Sequence, residues 1–359
     1  MMSFLRINKL LKYATSQRNA DRFPPIENDF EIIEESNTQR CIFVFNHSLS
    51  KTVLRHESTE VCDFLYDSLN FYGIDDFPVL KRLCSSLPIF LKLEKHSAVR
   101  KKYDKLISRS IPRCVQLFKE RLKSIFLTLE DVDEIDVNYW ASLLASSAME
   151  TLCTAIFPAN LKFCFEPAEL ESIDFFNTFP TKTLLNNSEN LLQKYDSFFN
   201  FDSSPEGVIA ASIVTMGYMP LKALFATLMN DFISDGFKLT SLSAYNVVPT
   251  NFVMRRISSS FELNYTSFNN QYLPFSFRAG DIAYVFLANG GGCPFSNKTS
   301  IPWGFGKHTC PGKTISEQFL KMLSSELQLL FSSNSTSIEK NIKYANIENR
   351  KSTAFLRYY

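Results

Sequence analysis

Apolar residues recur every three or four positions over much of this chain, which is the spacing of a helix that buries one face. Over residues 96–127 the spacing predicts two helices, the second opened by Ile111-Pro112. A proline suits a first helical turn because the N–H that it lacks has no partner there. The same spacing predicts helices over residues 137–156 and 186–199. The first part of the chain is therefore predicted to be mostly helical.

One segment is apolar nearly all round rather than on one face. The sequence Ser-Ser-Pro-Glu at 203–206 supplies a cap, an early proline and a first-turn acid, and the apolar run 207–233 follows. This pattern predicts a helix buried on every side. Pro220 lies in its middle and should kink it and release a carbonyl. The kink is either a place where a ligand approaches or a purely structural bend.

Short β-branched and aromatic segments favour strands in two regions. CIFVF at 41–45 predicts a strand, and residues 47–56 suit a helix. After Pro249, four short segments separated by turn residues predict a small sheet. A final amphipathic helix carries its apolar face on Ile315, Phe319, Met322, Leu323, Leu327 and Leu330. The fold class expected is mainly α with a small β-sheet, in a single domain over residues 1–359.

The charge balance limits the classes of partner. The chain has 38 Lys and Arg against 37 Asp and Glu, so its net charge of +1 predicts no binding to nucleic acid. No apolar run approaches the roughly 20 residues that span a bilayer.

The N-terminal segment has Arg6, Lys9, Lys12 and Arg18 before any acid. It is either an organelle-targeting helix or, as we expect, the first helix of a cytoplasmic protein.

The eight cysteines form no Cys-x-x-Cys pair and no zinc-like spacing. Most are therefore expected to be small buried side chains. Cys310 differs, because Gly304 and Gly306 precede it and Pro311 is predicted to start the last helix. The N-terminus of a helix favours the thiolate, and the glycines let the backbone pass close to a flat ligand. These features are what a thiolate needs in order to bind a metal; the alternative is a reactive or merely buried cysteine at a helix cap.

The segment around Cys310 resembles the haem-binding loop of the cytochrome P-450 family. The matching residues are Trp303, Gly306, His308, Cys310 and Gly312. The resemblance implies a cytochrome P-450-like fold of reduced size that holds haem b (iron protoporphyrin IX), with Cys310 as the metal ligand and His308 at a propionate. It also implies that Phe305, Gly306 and Gly312 contact the cofactor. Cys293, in a second Cys-Pro sequence, is a remote rival ligand.

Three further segments resemble the same family in its usual order, closely over residues 249–331 and more loosely over 90–248. His96 and Arg100 match the His-x-x-x-Arg of the helix along the haem, and are either propionate partners or a surface pair. For a second propionate contact we choose Arg256 and keep Arg255 in reserve, because a guanidinium forks onto a carboxylate. Residues 277–282 resemble the turn and strand that precede the haem loop.

Two departures from the family change the expected chemistry. With Gly217 aligned on the family's glycine, Met219-Pro220 replace the acid-Thr pair that delivers protons to dioxygen, and neither can transfer one. Thr215, one turn away, either substitutes or bonds back to its own helix. These four residues are the distal-face candidates.

The second departure is the family's Glu-x-x-Arg pair, which braces the haem loop. Counting back from Pro249 puts Ser243 and Asn246 in its place. The brace is then replaced by weaker hydrogen bonds or by nothing.

The resemblance implies a haem-thiolate oxidoreductase, a monooxygenase or peroxygenase that acts on an organic small molecule. Without a proton relay, three routes stay open: peroxide as oxidant, a redox-neutral isomerase or dehydratase, and a non-catalytic domain that binds a partner. Dioxygen chemistry assisted by a substrate hydroxyl also stays open. An acidic ferredoxin or flavodoxin could dock on a set of basic residues, or these could be ordinary surface charge: Arg100, Lys101, Lys102, Lys105, Lys307, Lys313 and Lys321.

Overall fold

The computed structural model of the chain describes residues 28–36, 39–91, 93–127, 136–157, 163–172, 180–199, 205–234, 252–287 and 303–333. The chain divides into two compact units, each built from separated parts of the sequence. Unit 1 comprises Met1–Cys62 and Thr250–Cys310, and unit 2 comprises Asp63–Pro249 and Pro311–Tyr359. The single domain expected from the sequence stays a prediction.

A five-stranded sheet forms the frame of unit 1. Its strands are β1 (Phe30–Ser36), β2 (Gln39–Val44), β3 (Thr59–Val61), β4 (Phe252–Ile257) and, after the hairpin described below, β7 (Ile282–Phe286). The order is β1-β2-β7-β4-β3; β2 and β7 run parallel and the other neighbours antiparallel. In the core, the rings of Phe43 and Tyr284 stack with centroids 5.1 Å apart.

The hairpin of β5 (Phe261–Thr266) and β6 (Tyr272–Phe277) is a separate two-stranded sheet. The prediction that all four C-terminal segments join one sheet is therefore wrong, although each segment is a strand. β5 and β6 alternate buried and exposed residues, whereas every residue of β7 is buried. A strand with one solvent-exposed face suits a surface hairpin, and a strand buried on both faces suits the interior of a sheet.

The helix and the turn predicted in unit 1 are confirmed. α1 spans His47–Arg55, and the side chain of Asn46 caps it by accepting a hydrogen bond from the Leu49 N–H at 3.0 Å. The turn before β7 has Gly280 at φ 91° and the Asp281 N–H donating to the Arg278 carbonyl at 3.1 Å. A positive φ is the conformation that glycine adopts without strain.

In the described residues of unit 2, every regular element is a helix. The helices are α2 (Phe64–Tyr72), α3 (Pro78–Ser86), α4 (Leu93–Leu127), α5 (Val137–Ile156), α6 (Pro167–Glu171), α7 (Lys182–Phe199), α8 (Pro205–Met216), α9 (Tyr218–Ser234) and α10 (Lys313–Ser333). α5 packs against α4 and α9. Phe118 of α4 lies between Phe319 of α10 and Phe225 of α9, at centroid distances of 4.5 and 6.0 Å.

The two helices predicted over residues 96–127 are one helix, so the prediction of a break at Pro112 is wrong. α4 runs through Pro112 without interruption. The ring removes the hydrogen bond to the Ser108 carbonyl, but Ser108 and Pro112 are both exposed, so water can satisfy that group. Buried Cys114, Phe118 and Leu122 continue the packed face beyond the proline. The packing of this buried face outweighs the cost of the hydrogen bond that Pro112 removes.

The kink predicted in the apolar helix is confirmed, three residues before Pro220. α8 ends at Met216, Gly217 separates the helices, and α9 begins at Tyr218 with a bend of 53°. Pro220 thus lies in the first turn of α9, where its missing N–H is tolerated. Among the described residues, no single helix is long and apolar enough to cross a bilayer, and only this bent pair passes by length and composition.

Candidate haem-thiolate site

The cysteine loop, residues 303–310 of unit 1, is closed by backbone hydrogen bonds. The Cys310 N–H donates to the Trp303 carbonyl at 2.7 Å, and the Thr309 N–H and hydroxyl donate to the Gly306 carbonyl at 3.2 and 2.8 Å. Gly304 and Gly306 have φ of 68° and 73°. The glycines predicted to let the chain turn tightly therefore do so.

Gly306 also allows the loop to approach α1 closely. A Cβ atom at Gly306 would lie 2.9 Å from the Leu54 carbonyl oxygen, closer than real side chains come. Beside it, Phe305 lies beneath two cations of α1, with Arg55 Cζ 4.3 Å and Lys51 Nζ 5.2 Å from the ring centroid. The loop is thus packed on the last turns of α1, an arrangement that the sequence did not predict.

The helix after the loop begins later than predicted. α10 starts at Lys313, and the Gly312 carbonyl accepts the Ser316 N–H at 2.9 Å. Gly312 is therefore the cap, a position that glycine accepts readily, and Pro311 is not the first helical residue. Cys310 precedes the helix by three residues, so the sequence argument from the helix N-terminus applies less directly than expected.

The described cysteines separate into buried and accessible ones. Cys41, Cys62, Cys84, Cys114 and Cys153 are buried, as predicted, while Cys164 is exposed and Cys310 partly exposed. Burial raises the pKa of Cys114 to about 12, against a smaller opposing hydrogen bond with Thr151. Burial also raises the pKa of Cys84 and Cys153. These three thiols stay protonated near neutral pH, and a protonated thiol is a poor metal ligand.

The two adjacent arginines of β4 face different surroundings. Arg256 is exposed, whereas Arg255 is 6% exposed. Arg255 donates to the Met254 carbonyl at 2.9 Å, and within the described part of the chain no carboxylate pairs with it. Burial lowers the pKa of Arg255 to about 10, an effect that the nearby Cys62 opposes. A buried guanidinium without a carboxylate is costly unless an anion satisfies it.

His96 and Arg100 lie one turn apart on α4. His96 is buried, so the surface-pair alternative does not hold for it. Arg100 is partly exposed and its Nε donates to Asp104 Oδ1 at 2.7 Å.

The distal-face candidates of unit 2 surround the bend between α8 and α9. The Thr215 hydroxyl donates to the Ala211 carbonyl at 2.7 Å, the bond within its own helix that the sequence left open. Met219 and Pro220 occupy the first turn of α9. A Cβ atom at Gly217 would lie 2.6 Å from the Ile213 carbonyl oxygen, so this bend requires glycine.

A polar cluster behind the bend was missed by sequence reasoning. Glu171 Oε1 accepts hydrogen bonds from Lys222 at 2.5 Å, Ser142 at 3.0 Å and Tyr218 at 3.1 Å. Partial burial raises the pKa of Glu171, but the contacts with Lys222, Ser142 and Tyr218 lower it more, and the net pKa lies below its usual value. The cluster joins α5, α6 and α9, which are too far apart in sequence for a motif to reveal it.

The predicted residues are distributed over both units. Unit 1 holds Cys310, His308, Phe305, Gly306, Arg255 and Arg256, and unit 2 holds His96, Arg100, Thr215, Gly217, Met219, Pro220 and Gly312. Ser243, Asn246, Cys293 and the basic N-terminal segment lie outside the described residues.

No protein-family model and no curated protein sequence matches the chain. Solved structures do match. Cytochrome P450epoK bound to epothilone D has a TM-score of 0.62 at 13% identity, over 88% of this chain and 88% of that chain. CYP164A2 of Mycobacterium smegmatis has a TM-score of 0.59 at 15% identity, over 90% of this chain and 93% of that chain.

A third similar structure is P450BioI in complex with an acyl carrier protein ligated to hexadec-9Z-enoic acid. Its TM-score is 0.58 at 14% identity, over 91% of this chain and 92% of that chain. Likeness at such low identity establishes architecture and not activity. Since the agreement extends over most of both chains, this protein has a cytochrome P450-like fold.

Proposed function

We propose that the chain is a haem-thiolate oxidoreductase of the monooxygenase or peroxygenase type, acting on an organic small molecule. The observation that carries the proposal is the geometry of the cysteine loop. Two glycines with left-handed backbone and a hydrogen bond from the Cys310 N–H to the Trp303 carbonyl hold Cys310 in a partly exposed position. On a cytochrome P450-like fold, this is the cysteine whose surroundings suit an iron ligand.

The proposed cofactor is haem b, and one buried cation supports this choice. Arg255 is a buried cation with no carboxylate partner among the described residues, and a propionate would supply the missing anion. We therefore propose Arg255 ahead of Arg256 as the propionate ligand. His308, Arg100 and His96 remain further candidates, and Cys310 is the proposed metal ligand.

Haem held by a thiolate supplies oxidising chemistry at its iron, because the sulfur donates electron density that favours O–O cleavage. The residues at the bend add little proton transfer. The Thr215 hydroxyl already donates a hydrogen bond to the Ala211 carbonyl, and the Tyr218 hydroxyl donates one to Glu171. Met219 and Pro220 carry no transferable proton. Peroxide, which arrives already reduced, needs less from these residues than dioxygen does. We therefore favour peroxide as the oxidant.

The substrate proposed is an apolar organic molecule. Cytochrome P450epoK binds epothilone D, and P450BioI binds a fatty acyl chain carried by a protein. Met219, in the first turn of α9, is apolar and cannot pair with a carboxylate, which favours an apolar substrate over a free fatty acid.

If dioxygen is the oxidant, electrons must come from a partner, and we propose an acidic ferredoxin or flavodoxin. Lys101, Lys102 and Lys105 of α4 are exposed, as are Lys307, Lys313 and Lys321. Arg100 and Lys313 already pair with acids one turn along their own helices, Asp104 at 2.7 Å and Glu317 at 4.0 Å. The other five lysines are the more available cations: Lys101, Lys102, Lys105, Lys307 and Lys321.

A redox-neutral isomerase or dehydratase is the second candidate. The same back-bonded Thr215 favours it, because rearrangement of an already oxygenated substrate needs the thiolate and iron but no proton relay.

One spectroscopic experiment tests the proposal. The purified chain is reconstituted with haem, reduced and treated with carbon monoxide, beside Cys310→Ser and the matched surface variant Cys164→Ser. We expect a thiolate-type spectrum for the wild type and Cys164→Ser and its loss in Cys310→Ser. Equal haem affinity and equal spectra in all three would overturn the proposal. Substrate turnover with peroxide, with a reductase, or with neither then separates the three reaction types.

A further inference from the structure

Counting back from Pro249 places Ser243 and Asn246 where the cytochrome P-450 family has the Glu-x-x-Arg pair that braces this loop. Surface loops with few buried contacts open readily. The described part of unit 1 contains a different contact that could do the same work, the stack of Lys51 and Arg55 on Phe305.

The geometry of this stack is favourable. Lys51 and Arg55 are four residues apart on α1, so both side chains leave the same face of the helix. The face of an aromatic ring is electronegative and attracts a cation within about 6 Å of its centroid. Both distances, 4.3 Å for Arg55 and 5.2 Å for Lys51, meet that condition.

The backbone of the loop is fixed at the neighbouring residue. Gly306 packs so closely on α1 that an added Cβ would lie 2.9 Å from the Leu54 carbonyl oxygen and 3.5 Å from Arg55 Cγ. The Arg55 side chain therefore lies against the loop, with its guanidinium over Phe305 and its Cγ beside the space that a side chain at Gly306 would fill. The close approach of the Gly306 backbone to α1 and the cations over Phe305 together hold this part of the loop against the helix.

We propose that Arg55 and Lys51 brace the cysteine loop through Phe305, and that they are positioning residues for Cys310. The value of the brace to an iron ligand rests on the proposed function, but the brace itself does not. Phe305 lies five positions before Cys310, and the bond from the Cys310 N–H to the Trp303 carbonyl closes the segment that contains it. Holding Phe305 therefore keeps that bond closed.

The test measures opening of the loop directly. Amide hydrogen exchange of Cys310 is followed in the full chain by mass spectrometry, because its N–H is protected only while the bond to Trp303 is closed. We expect Arg55→Ala to speed this exchange about twofold to fivefold, the range for one cation at an exposed ring. Lys51→Ala should act in the same direction, more weakly because its cation lies farther from the ring. Arg55→Lys should restore much of the protection.

Two controls separate the brace from a general loss of structure. Lys307→Ala removes an exposed cation of the same loop, and we expect it to leave Cys310 exchange unchanged. Exchange in the β5–β6 hairpin, in the same unit, should stay constant in every variant. A double-mutant cycle with Phe305→Leu provides the decisive comparison, because Arg55→Ala should have no further effect once the ring is gone.

The outcomes are distinguishable from failure of the proposed function. If Arg55→Ala speeds exchange equally with and without the Phe305 ring, or no more than Lys307→Ala does, the brace is disproved whether or not the chain binds haem. If the cycle succeeds but Cys310→Ser keeps the wild-type haem spectrum, the brace stands and the haem-thiolate proposal fails. With haem bound, a larger non-thiolate fraction in the carbon monoxide spectrum of Arg55→Ala than of Lys307→Ala would link the brace to the ligand.

Discussion

Arg40 and Asp281 form a two-pronged ion pair inside unit 1, between positions 241 residues apart in the chain. Arg40 Nε donates to Asp281 Oδ1 at 3.0 Å and Nη2 donates to Oδ2 at 2.5 Å. Asp281 is 1% exposed, and its Oδ2 also accepts the Arg278 N–H at 2.7 Å. Arg40 completes the network by donating to the Ser276 carbonyl at 3.0 Å. The pair fastens β2 to the turn that leads into β7.

Removing one member of this pair should be costly. Asp281→Ala leaves a buried guanidinium without its anion, and we expect a loss of about 3–5 kcal/mol in the free energy of unfolding. Urea denaturation followed by circular dichroism measures it. The matched control is Asp196→Ala, which breaks a pair with Arg82 at 2.6 Å whose side chains are 35% and 37% exposed. That pair should contribute less than about 1 kcal/mol. Equal losses of stability in the two variants would show that the Arg40–Asp281 pair contributes no more than an exposed one.

Arg255 and Arg256 allow a sharp test of haem binding. Arg255→Gln should weaken haem affinity about tenfold to a hundredfold, since a hydrogen bond to a charged group is worth roughly 1.5–3 kcal/mol. Arg256→Gln should leave the affinity unchanged, because that side chain is exposed. Titration of haem into the haem-free chain, read in the Soret band, gives both constants.

The haem-free chain gives an independent readout of the same residue. Arg255→Met should raise its thermal stability, because it removes the desolvation cost of a buried guanidinium that has no carboxylate partner in the described part of the chain. A haem affinity that falls equally in the Arg255 and Arg256 variants would remove Arg255 from the site.

The Glu171 cluster predicts a particular response to acid. The net pKa of Glu171 is below 4.5, its value in an unfolded chain, so the cluster stabilises the fold above pH 4.5 and loses that contribution as the pH falls. Thermal melting from neutral pH to about pH 3 should therefore decline less steeply in Glu171→Gln, which starts from a lower stability. Glu169→Gln, on the same helix and in an exposed pair with Lys194 at 2.8 Å, is the control and should keep the wild-type slope. Identical slopes in all three proteins would contradict this role.

Two glycines of the cysteine loop differ in the space around them. Both have a left-handed backbone, with φ of 68° for Gly304 and 73° for Gly306, so alanine at either costs about 1–2 kcal/mol. An alanine Cβ at Gly304 would meet the His308 carbonyl oxygen at an ordinary 3.5 Å, whereas at Gly306 it would meet the Leu54 carbonyl oxygen at 2.9 Å. Gly306→Ala should therefore lower the melting temperature more than Gly304→Ala. Equal shifts would show that the loop is not pressed against α1.

Sequence patterns correctly predicted the helices and strands whose formation depends on the residues within them. The helix over residues 137–156 agrees with α5 residue for residue, and the strands after Pro249 all form. β1 and β3 were not predicted, since β1 is interrupted by Glu31 and Glu34 and β3 has only three residues. At Pro112, where propensity and packing disagree, packing prevails and the helix continues.

Sequence patterns revealed only the part of the candidate site that lies in one continuous segment. The loop up to Cys310 carries its own glycines, so its turns could be read from the sequence. The choice between Arg255 and Arg256 depends on which face of β4 is buried, and that is set by pairing with β3 and β7. The stack on Phe305 and the Glu171 cluster join distant segments, and a single sequence contains no signal for such contacts.

The parallel pairing of β2 with β7 has a consequence for synthesis of the protein. Cys41 to Val44 are buried and find their partners, Ile282 to Val285, only after most of the chain has left the ribosome. Until then β2 presents an apolar, unpaired edge, a known hazard for aggregation during translation. The helices α2 to α9 of unit 2 precede β7 in the chain and can form meanwhile, because helices depend on local contacts. Nascent chains that end before Val285 should therefore depend on chaperones far more than chains released after it.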